Sequence, residues 1–238
     1  MEATYRKIRE MMPLEYLTKY SLVGHLCLLI SPLFSVPFIH HHIKPNTITI
    51  IMIFCGVMGG ILFSLPYLFC KILALIVYWL WFVFDCSDGE VARFTQTFSK
   101  YGKLLDWMAH LTCHPLFILS TWFSFKQIGT NYMDMITIVS ILLVAFELIR
   151  RNLIAFDSLL SVNTEMGIAK PQRLPLHRWC LTQIMYFPNM VLILPIIFVI
   201  SIITDWNGIA YIYFIWASLN CLYVTRDIIR YTIFMHKS

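Results

Sequence analysis

Three aspartates, an arginine and a histidine stand at fixed spacings in the stretch DCSDGEVARFTQTFSKYGKLLDWMAH, which runs from Asp85 to His110. Asp85 and Asp88 stand three residues apart, and Asp106 and His110 four, so on helices each pair occupies one face. A short polar turn between the pairs lets the two faces close on a single site. Three carboxylates crowded where a hydrophobic run meets water need cations to neutralise them. The pattern therefore predicts a divalent metal held by acidic side chains. The competing reading of the same residues is a solvated acidic turn.

The elements that must position these groups are membrane helices. The chain has 238 residues and is 59% hydrophobic, 16% aromatic and only 13% charged, with a mean hydropathy of +0.72. Such a composition excludes a water-soluble domain with one core. Crossing a bilayer takes about 20 mostly apolar residues. Six stretches qualify: Thr47–Ser64, Tyr67–Phe84, Leu104–Phe125, Met133–Leu148, Ile184–Ile203 and Gly208–Val224. All are read as helices, because lipid gives backbone polar groups no partner outside a helix or a closed barrel, and the alternation of a barrel is missing. The expected fold is all-α, a polytopic membrane bundle of six transmembrane helices preceded by an amino-terminal interfacial helix. Residues 1–46 form the cytoplasmic and interfacial segment, 47–230 the membrane domain and 231–238 a cytoplasmic tail. The seven cysteines form no CxxC pair and lie mostly in apolar runs, as small buried hydrophobes do. The charged opening MEATYRKIRE argues against a cleavable signal peptide.

Orientation follows from the basic residues. With the amino terminus in the cytoplasm, only Lys71 and Lys126 of the 18 lysines and arginines fall on the outer side, the asymmetry that the positive-inside rule describes. The net charge of +5 is thereby assigned to orientation, and no nucleic-acid partner is expected. Tyr20–His40 is apolar enough for another span, but Pro32 and Pro37 interrupt it and a crossing there would weaken the asymmetry. It is placed in the cytoplasmic interface. A helix entering near Tyr67 and rising about 1.5 Å per residue reaches the cytoplasmic boundary near Asp85–Gly89. The site thus opens to the cytoplasm, with both termini on the same side.

The acidic stretch fits D-x2-D-G-x2-A-R-x8-G-x3-D-x3-D at Asp85, Asp88, Gly89, Ala92, Arg93, Gly102 and Asp106, spacings included. In this it resembles the CDP-alcohol phosphotransferase (CDP-alcohol phosphatidyltransferase) family. The resemblance extends upstream, where SPLFSVPFIHHHIKPNTIT is similar to a Pro-rich interfacial helix and a P-N-x-x-T start of the first span, with Pro45, Asn46 and Thr49 matching. Beyond about Phe125 only the pattern of spans is shared. Six spans after an interfacial helix is also the architecture the resemblance implies.

It further implies a reaction in which a phospho-alcohol or phosphatidyl group moves from a CDP-linked donor to an acceptor hydroxyl, lipid or polar, with release of CMP. Asp85, Asp88 and Asp106 would ligate magnesium or manganese. Asp88, Gly89, Ala92, Arg93, Gly102, Asn46 and Thr49 would contact the nucleotide, and Arg93 would also neutralise charge during transfer. One position departs: the fourth aspartate of the pattern is His110. An imidazole can ligate a metal or accept the acceptor's proton, and His110 is expected as a metal ligand and the general base. Losing one carboxylate lowers affinity for a second hard cation, so one firm and one weaker metal are expected. A homodimer in the lipid is implied by the resemblance alone.

Other residues carry weaker signals. Gly56, Gly59 and Gly60 read as a helix-packing face. Arg150 and Arg151 read either as a cytoplasmic anchor with Glu147 or as a contact for the acceptor's head group. His114 reads as a hydrogen-bonded core residue, and the His40–His42 run is assigned no chemistry. The link from Arg151 to Gln183 is long, and its segments LIAFDSLLSV and KPQRLPLHRW are read as interfacial and entrance-shaping. The principal rival function is a cation-coupled transporter, whose carboxylates would be expected nearer the midplane. An intramembrane aspartyl hydrolase is a second rival, opposed by Arg93 and the third carboxylate.

Overall fold

Proline opens two of the helices. Pro32 and Pro45 occupy first-turn positions, where a missing N–H costs nothing. The computed structural model describes residues 2–11, 22–130, 132–161, 176–185 and 187–235. Its elements are α1 (Glu2–Met11), α2 (Leu22–Ile30), α3 (Pro32–His40), α4 (Pro45–Ser64), α5 (Leu68–Thr95), α6 (Gly102–Ile128), α7 (Met133–Ser161), α8 (Leu176–Met185), α9 (Phe187–Ile203) and α10 (Ile209–Met235). No strand occurs among the described residues.

The protein is all-α and membrane-integrated. Among the described residues, three stretches are long and apolar enough to cross a bilayer: α4, α5 and the continuous run Leu22–His40 formed by α2 and α3. The last is the stretch placed in the interface on sequence grounds, and its length and hydropathy are those of a span.

Several boundaries differ from the expected ones. α5 outlasts the apolar run that ends at Phe84 and continues beyond Asp85 and Asp88 through Arg93 to Thr95, so Gly89 lies inside the helix and the polar turn begins only after it. The helix ends where Gln96 adopts a left-handed conformation (φ 54°) and its backbone N–H reaches Ala92 O. α7 runs on to Ser161, so all of LIAFDSLLSV but its last residue prolongs the helix that holds Glu147. The fifth expected span is divided between α8 and α9, and α10 continues past residue 230 to Met235. Most of KPQRLPLHRW, together with residues 236–238, lies outside the described residues.

The core is arranged around α5. α4 packs most extensively on α5 and then on α6, while α10 packs on α7 and α7 on α6. The glycines of α4 make this close approach possible. A Cβ on Gly56 would collide with Cys113 of α6 and lie 2.8 Å from Trp81 Cδ1 of α5; one on Gly59 would meet Tyr78 at 2.6 Å, and one on Gly60 would touch Leu116 at 3.4 Å.

At one end of the bundle Lys71 (2% exposed) turns into the protein. Its ammonium donates to Phe63 O at 2.8 Å, Ser124 Oγ at 2.8 Å and Gln127 Oε1 at 3.3 Å. Ser124 itself donates to Phe63 O at 2.7 Å. One lysine of α5 thereby ties α4 and α6 together.

The amino-terminal helices are latched to α5 by a buried carboxylate. Ser31 Oγ donates to Glu90 Oε1 at 2.6 Å and Ser35 Oγ to Glu90 Oε2 at 2.5 Å. Phe34 and Phe38 pack on Phe84 one turn and a half earlier, with ring centroids 5.5 and 5.8 Å away. Arg9 of α1 caps the end of α2 through Leu28 O and Leu29 O. Hydrogen bonds to a charged group contribute about 1.5–3 kcal/mol each before the cost of burying the charge. Glu90→Ala is accordingly expected to cost about 2 kcal/mol, read as a lowered thermal unfolding midpoint in detergent, while Glu90→Gln, which keeps one oxygen to accept from a serine and an amide N–H to donate to the other, loses less.

Candidate metal centre

Two helices bring the acidic groups together. α5 presents Asp85, and α6, running back beside it after the turn from Gln96 to Tyr101, presents Asp106 and His110 on one face. One ligand atom from each of Asp85, Asp106 and His110 lies within 4.8 Å of the others, the only such group of three found among the described residues. His110 Nε2 is 3.2 Å from Asp85 Oδ1 and 3.5 Å from Asp106 Oδ1. All three side chains are half-buried.

This donor set fits a divalent cation. Ligand atoms around one ion at roughly 2.0–2.3 Å stand up to about 4.5 Å apart, and the two carboxylates suit a hard divalent cation such as manganese or magnesium. Nε2 stands between two carboxylate oxygens, a place that either a proton on the ring or a cation shared by the three groups would fill.

Asp88 is not part of the triplet. It turns to α4, where Thr49 Oγ1 donates to its Oδ2 at 2.7 Å while also reaching Pro45 O at 3.2 Å. The turn is fastened to the same helix by Asn46, whose Nδ2 donates to Ser99 Oγ at 3.1 Å. Asn46 and Thr49 thus sit beside the cluster, on the edge nearer Asp88.

Arg93 folds back over Gly89. A Cβ on Gly89 would lie 3.1 and 3.2 Å from Nη1 and Nη2 of Arg93, so glycine leaves the guanidinium room at this level of α5. Arg93 Nε is buried and finds no hydrogen-bond partner among the described residues. A charged donor left unpaired in a buried place is costly unless a ligand meets it, and an anionic ligand does so best. Ala92 is half-buried beside it. At Gly102 an added Cβ would meet only Asn46 Oδ1 and Ser99 Cβ, both at an ordinary 3.6 Å. The packing of the chain alone does not demand glycine there.

Arg150 and Arg151 do not extend to water. Their Nε atoms lie 3.6 and 3.2 Å from the carboxylate of Glu147, which is 2% exposed. Arg151 also approaches His114, which is buried behind His110. The sequence did not single out Glu147 as a partner of the site, although a lone acid within an apolar run marks a residue with a buried partner. The residues His40–His42 are exposed and stand apart from the cluster.

A family model described as CDP-alcohol phosphatidyltransferase matches residues 42–174, more than half of the chain. The chain belongs to the CDP-alcohol phosphatidyltransferase family. That match takes in α4, α5, α6 and α7, the helices that carry every candidate ligand described above, and leaves α9 and α10 outside. Comparison with curated proteins yields no match. The family transfers phospho-alcohol groups from CDP-alcohols to alcohol acceptors, and membership assigns this chain to that class of transferase. Divalent-metal dependence is typical of CDP-alcohol phosphatidyltransferases, in accord with the donor set at Asp85, Asp106 and His110.

Proposed function

We propose that the protein is a divalent-metal-dependent transferase that moves a phospho-alcohol or phosphatidyl group from a CDP-linked donor to an acceptor hydroxyl, releasing CMP. The observation that carries this reading is the convergence of Asp85, Asp106 and His110 within 4.8 Å, the two aspartates at positions that match the acidic pattern and His110 where that pattern has its fourth aspartate. Asp85, Asp106 and His110 Nε2 would hold one manganese or magnesium firmly, and Asp88, beside Thr49, is available to a second, weaker one. Such a cation, when bound, neutralises pyrophosphate oxygens and polarises the bond that breaks.

The residues of the chain do the rest. Arg93, with its unpaired Nε, binds the anionic phosphates. Thr49 holds Asp88 in place, and Asn46 keeps the turn closed over the start of α6. Gly89 and Ala92 keep the surface of α5 low beneath the nucleotide, and Gly102 leaves space at the mouth. Arg150 and Arg151, drawn in toward Glu147, back the site on the α7 side and do not serve as the acceptor's first contact.

His110 has one nitrogen to offer. Its Nδ1 faces His114, so Nε2 alone faces the carboxylates. A carboxylate at this place can hold a cation with one oxygen and take a proton with the other, whereas the imidazole has a single lone pair for both tasks. Ligation is assigned to Nε2, because that nitrogen converges with Asp85 and Asp106 on the space a cation would occupy. Proton acceptance is the competing use of the same atom. The site is read as facing the cytoplasm, on the distribution of lysine and arginine.

The test uses the purified full-length chain in nanodiscs, incubated with a panel of CDP-linked alcohols and acceptors. CMP is expected to appear with Mn2+ or Mg2+ and to cease with EDTA. His110→Asp is expected to retain metal-dependent CMP release and His110→Ala to lose most of it. CMP release that persists in EDTA, or cation transport without any CMP, would sink the reading.

A further inference from the structure

Behind His110 a line of buried polar groups crosses from α6 to α7. His110 Nδ1 lies 3.1 Å from His114 Nε2, and His114 Nδ1 lies 2.8 Å from Glu147 Oε1. His114 is 0% exposed and Glu147 2%. Arg150 and Arg151 flank the carboxylate and balance its charge. The imidazole of His114 is also held by packing: Phe187 of α9 stacks on it at 4.8 Å between ring centroids and 22° between planes, and Trp81 of α5 stands edge-on to both histidine rings.

Glu147 sets the direction of every bond in this line. A carboxylate only accepts, so His114 Nδ1 donates to it. A second proton on His114 would set a like charge 3.1 Å from Arg151 Nη2, so the ring is neutral and its Nε2 accepts. His110 Nδ1 must then be the donor, which leaves Nε2, the atom 3.2 Å from Asp85 Oδ1 and 3.5 Å from Asp106 Oδ1, as the nitrogen that can give its lone pair to a cation. Arg151 Nη2 approaches both nitrogens of His114, at 3.1 and 3.3 Å, and as a donor it shares the Nε2 lone pair with His110 Nδ1.

We propose that His114 and Glu147 are positioning residues that fix the ring orientation and tautomer of His110, so that Nε2 is presented between Asp85 and Asp106 as the third ligand of a divalent cation. The proposal rests on the reading of that triplet as a metal centre. A metal-bound histidine commonly donates its other N–H to a carboxylate, and removing that partner costs 10–100-fold in metal affinity or activity. Here a second imidazole is interposed, which lets the carboxylate stay on α7, away from the cation and matched to two guanidinium groups.

The experiment measures Mn2+ binding to the full-length protein in nanodiscs by electron paramagnetic resonance, with nitrogen hyperfine coupling as the signature of His110. His114→Phe keeps the stacking on Phe187 and removes both ring nitrogens. It is expected to raise the Mn2+ Kd roughly 10- to 100-fold and to weaken the nitrogen coupling. Glu147→Gln, close in volume, is expected to shift both in the same direction, with thermal unfolding confirming that each variant is folded. In a His110→Asp background, where no tautomer needs fixing, His114→Phe is expected to change Mn2+ affinity by less than about 3-fold. Wild-type affinity in both single variants, an equal loss in the His110→Asp background, or a wild-type protein that binds no Mn2+ would each overturn the proposal. None of these readouts needs a CDP-linked substrate. A protein that binds Mn2+ with nitrogen coupling yet releases no CMP defeats the transferase reading and leaves this one standing.

Discussion

Asp85→Asn and Asp106→Asn are each expected to lower metal-dependent CMP release by about 1000-fold or more, while leaving the protein folded. The two carboxylates come from different helices, and each supplies an oxygen to the same small space beside His110 Nε2. An amide keeps the volume but removes a charge, so the cation would lose close to half of the negative charge that holds it. Loss of an outer partner of a metal site already costs 10–100-fold, and loss of a direct ligand costs more. The measurement is CMP release at several Mn2+ concentrations. Partial recovery at high Mn2+ is expected, because the defect lies in binding the cation. Turnover in either variant within 10-fold of wild type at limiting Mn2+ would remove the metal centre from the argument.

The second large effect is structural. Gly56→Leu is expected to destabilise the bundle by about 3 kcal/mol or more, at the upper end of what overpacking a tight interface costs. Even the first carbon of the new side chain would overlap Cys113 and press on Trp81, and these belong to the two helices that carry the ligands. Neither neighbour is the free end of a flexible chain: Trp81 is 0% exposed and rests on Phe82 and Phe117. Thermal unfolding in detergent and the monodisperse fraction in size-exclusion chromatography read the effect. Gly60→Ala serves as the contrast, since its Cβ would meet Leu116 at 3.4 Å and is expected to cost less than about 1 kcal/mol. If Gly56→Leu survived as well as Gly60→Ala, the close approach of α4 would not be what holds α5 and α6 in place.

Much of the candidate site was legible because its geometry is local. Asp106 and His110 share a face at the four-residue spacing of a helix whatever surrounds them, and the glycines of α4 announced a close packing face by their own spacing. Asp85 could be placed opposite them because α5 and α6 are joined by a short turn. Asp88 was harder. Three residues turn a helix by about 300°, so Asp88 points some 60° away from Asp85, and whether that aims it at the cluster or at Thr49 depends on how α5 is rotated against its neighbours. That rotation is set by Gly56, Gly59 and the aromatic side chains of α5, none of which fixes an angle in the linear chain. The pairing of His114 with Glu147 was beyond reach for the same reason, since the two are 33 residues apart and meet only through the packing of α7 on α6. The end of α5 was misplaced because hydropathy falls at Asp85 while the helix continues. Its last turns are held by the site and by the Glu90 latch, not by lipid.

The knot at Lys71 says which end of the molecule can yield. There α4, α5 and α6 are bound to one another by protein atoms alone, through bonds that no substrate replaces. At the opposite end the same three helices meet through Thr49 with Asp88 and through His110 with Asp85 and Asp106, the groups that must accept a nucleotide and an ion. The ends of the three helices are thus held by different means, one by Lys71, Ser124 and Gln127 among themselves and the other by groups whose partners a ligand can replace.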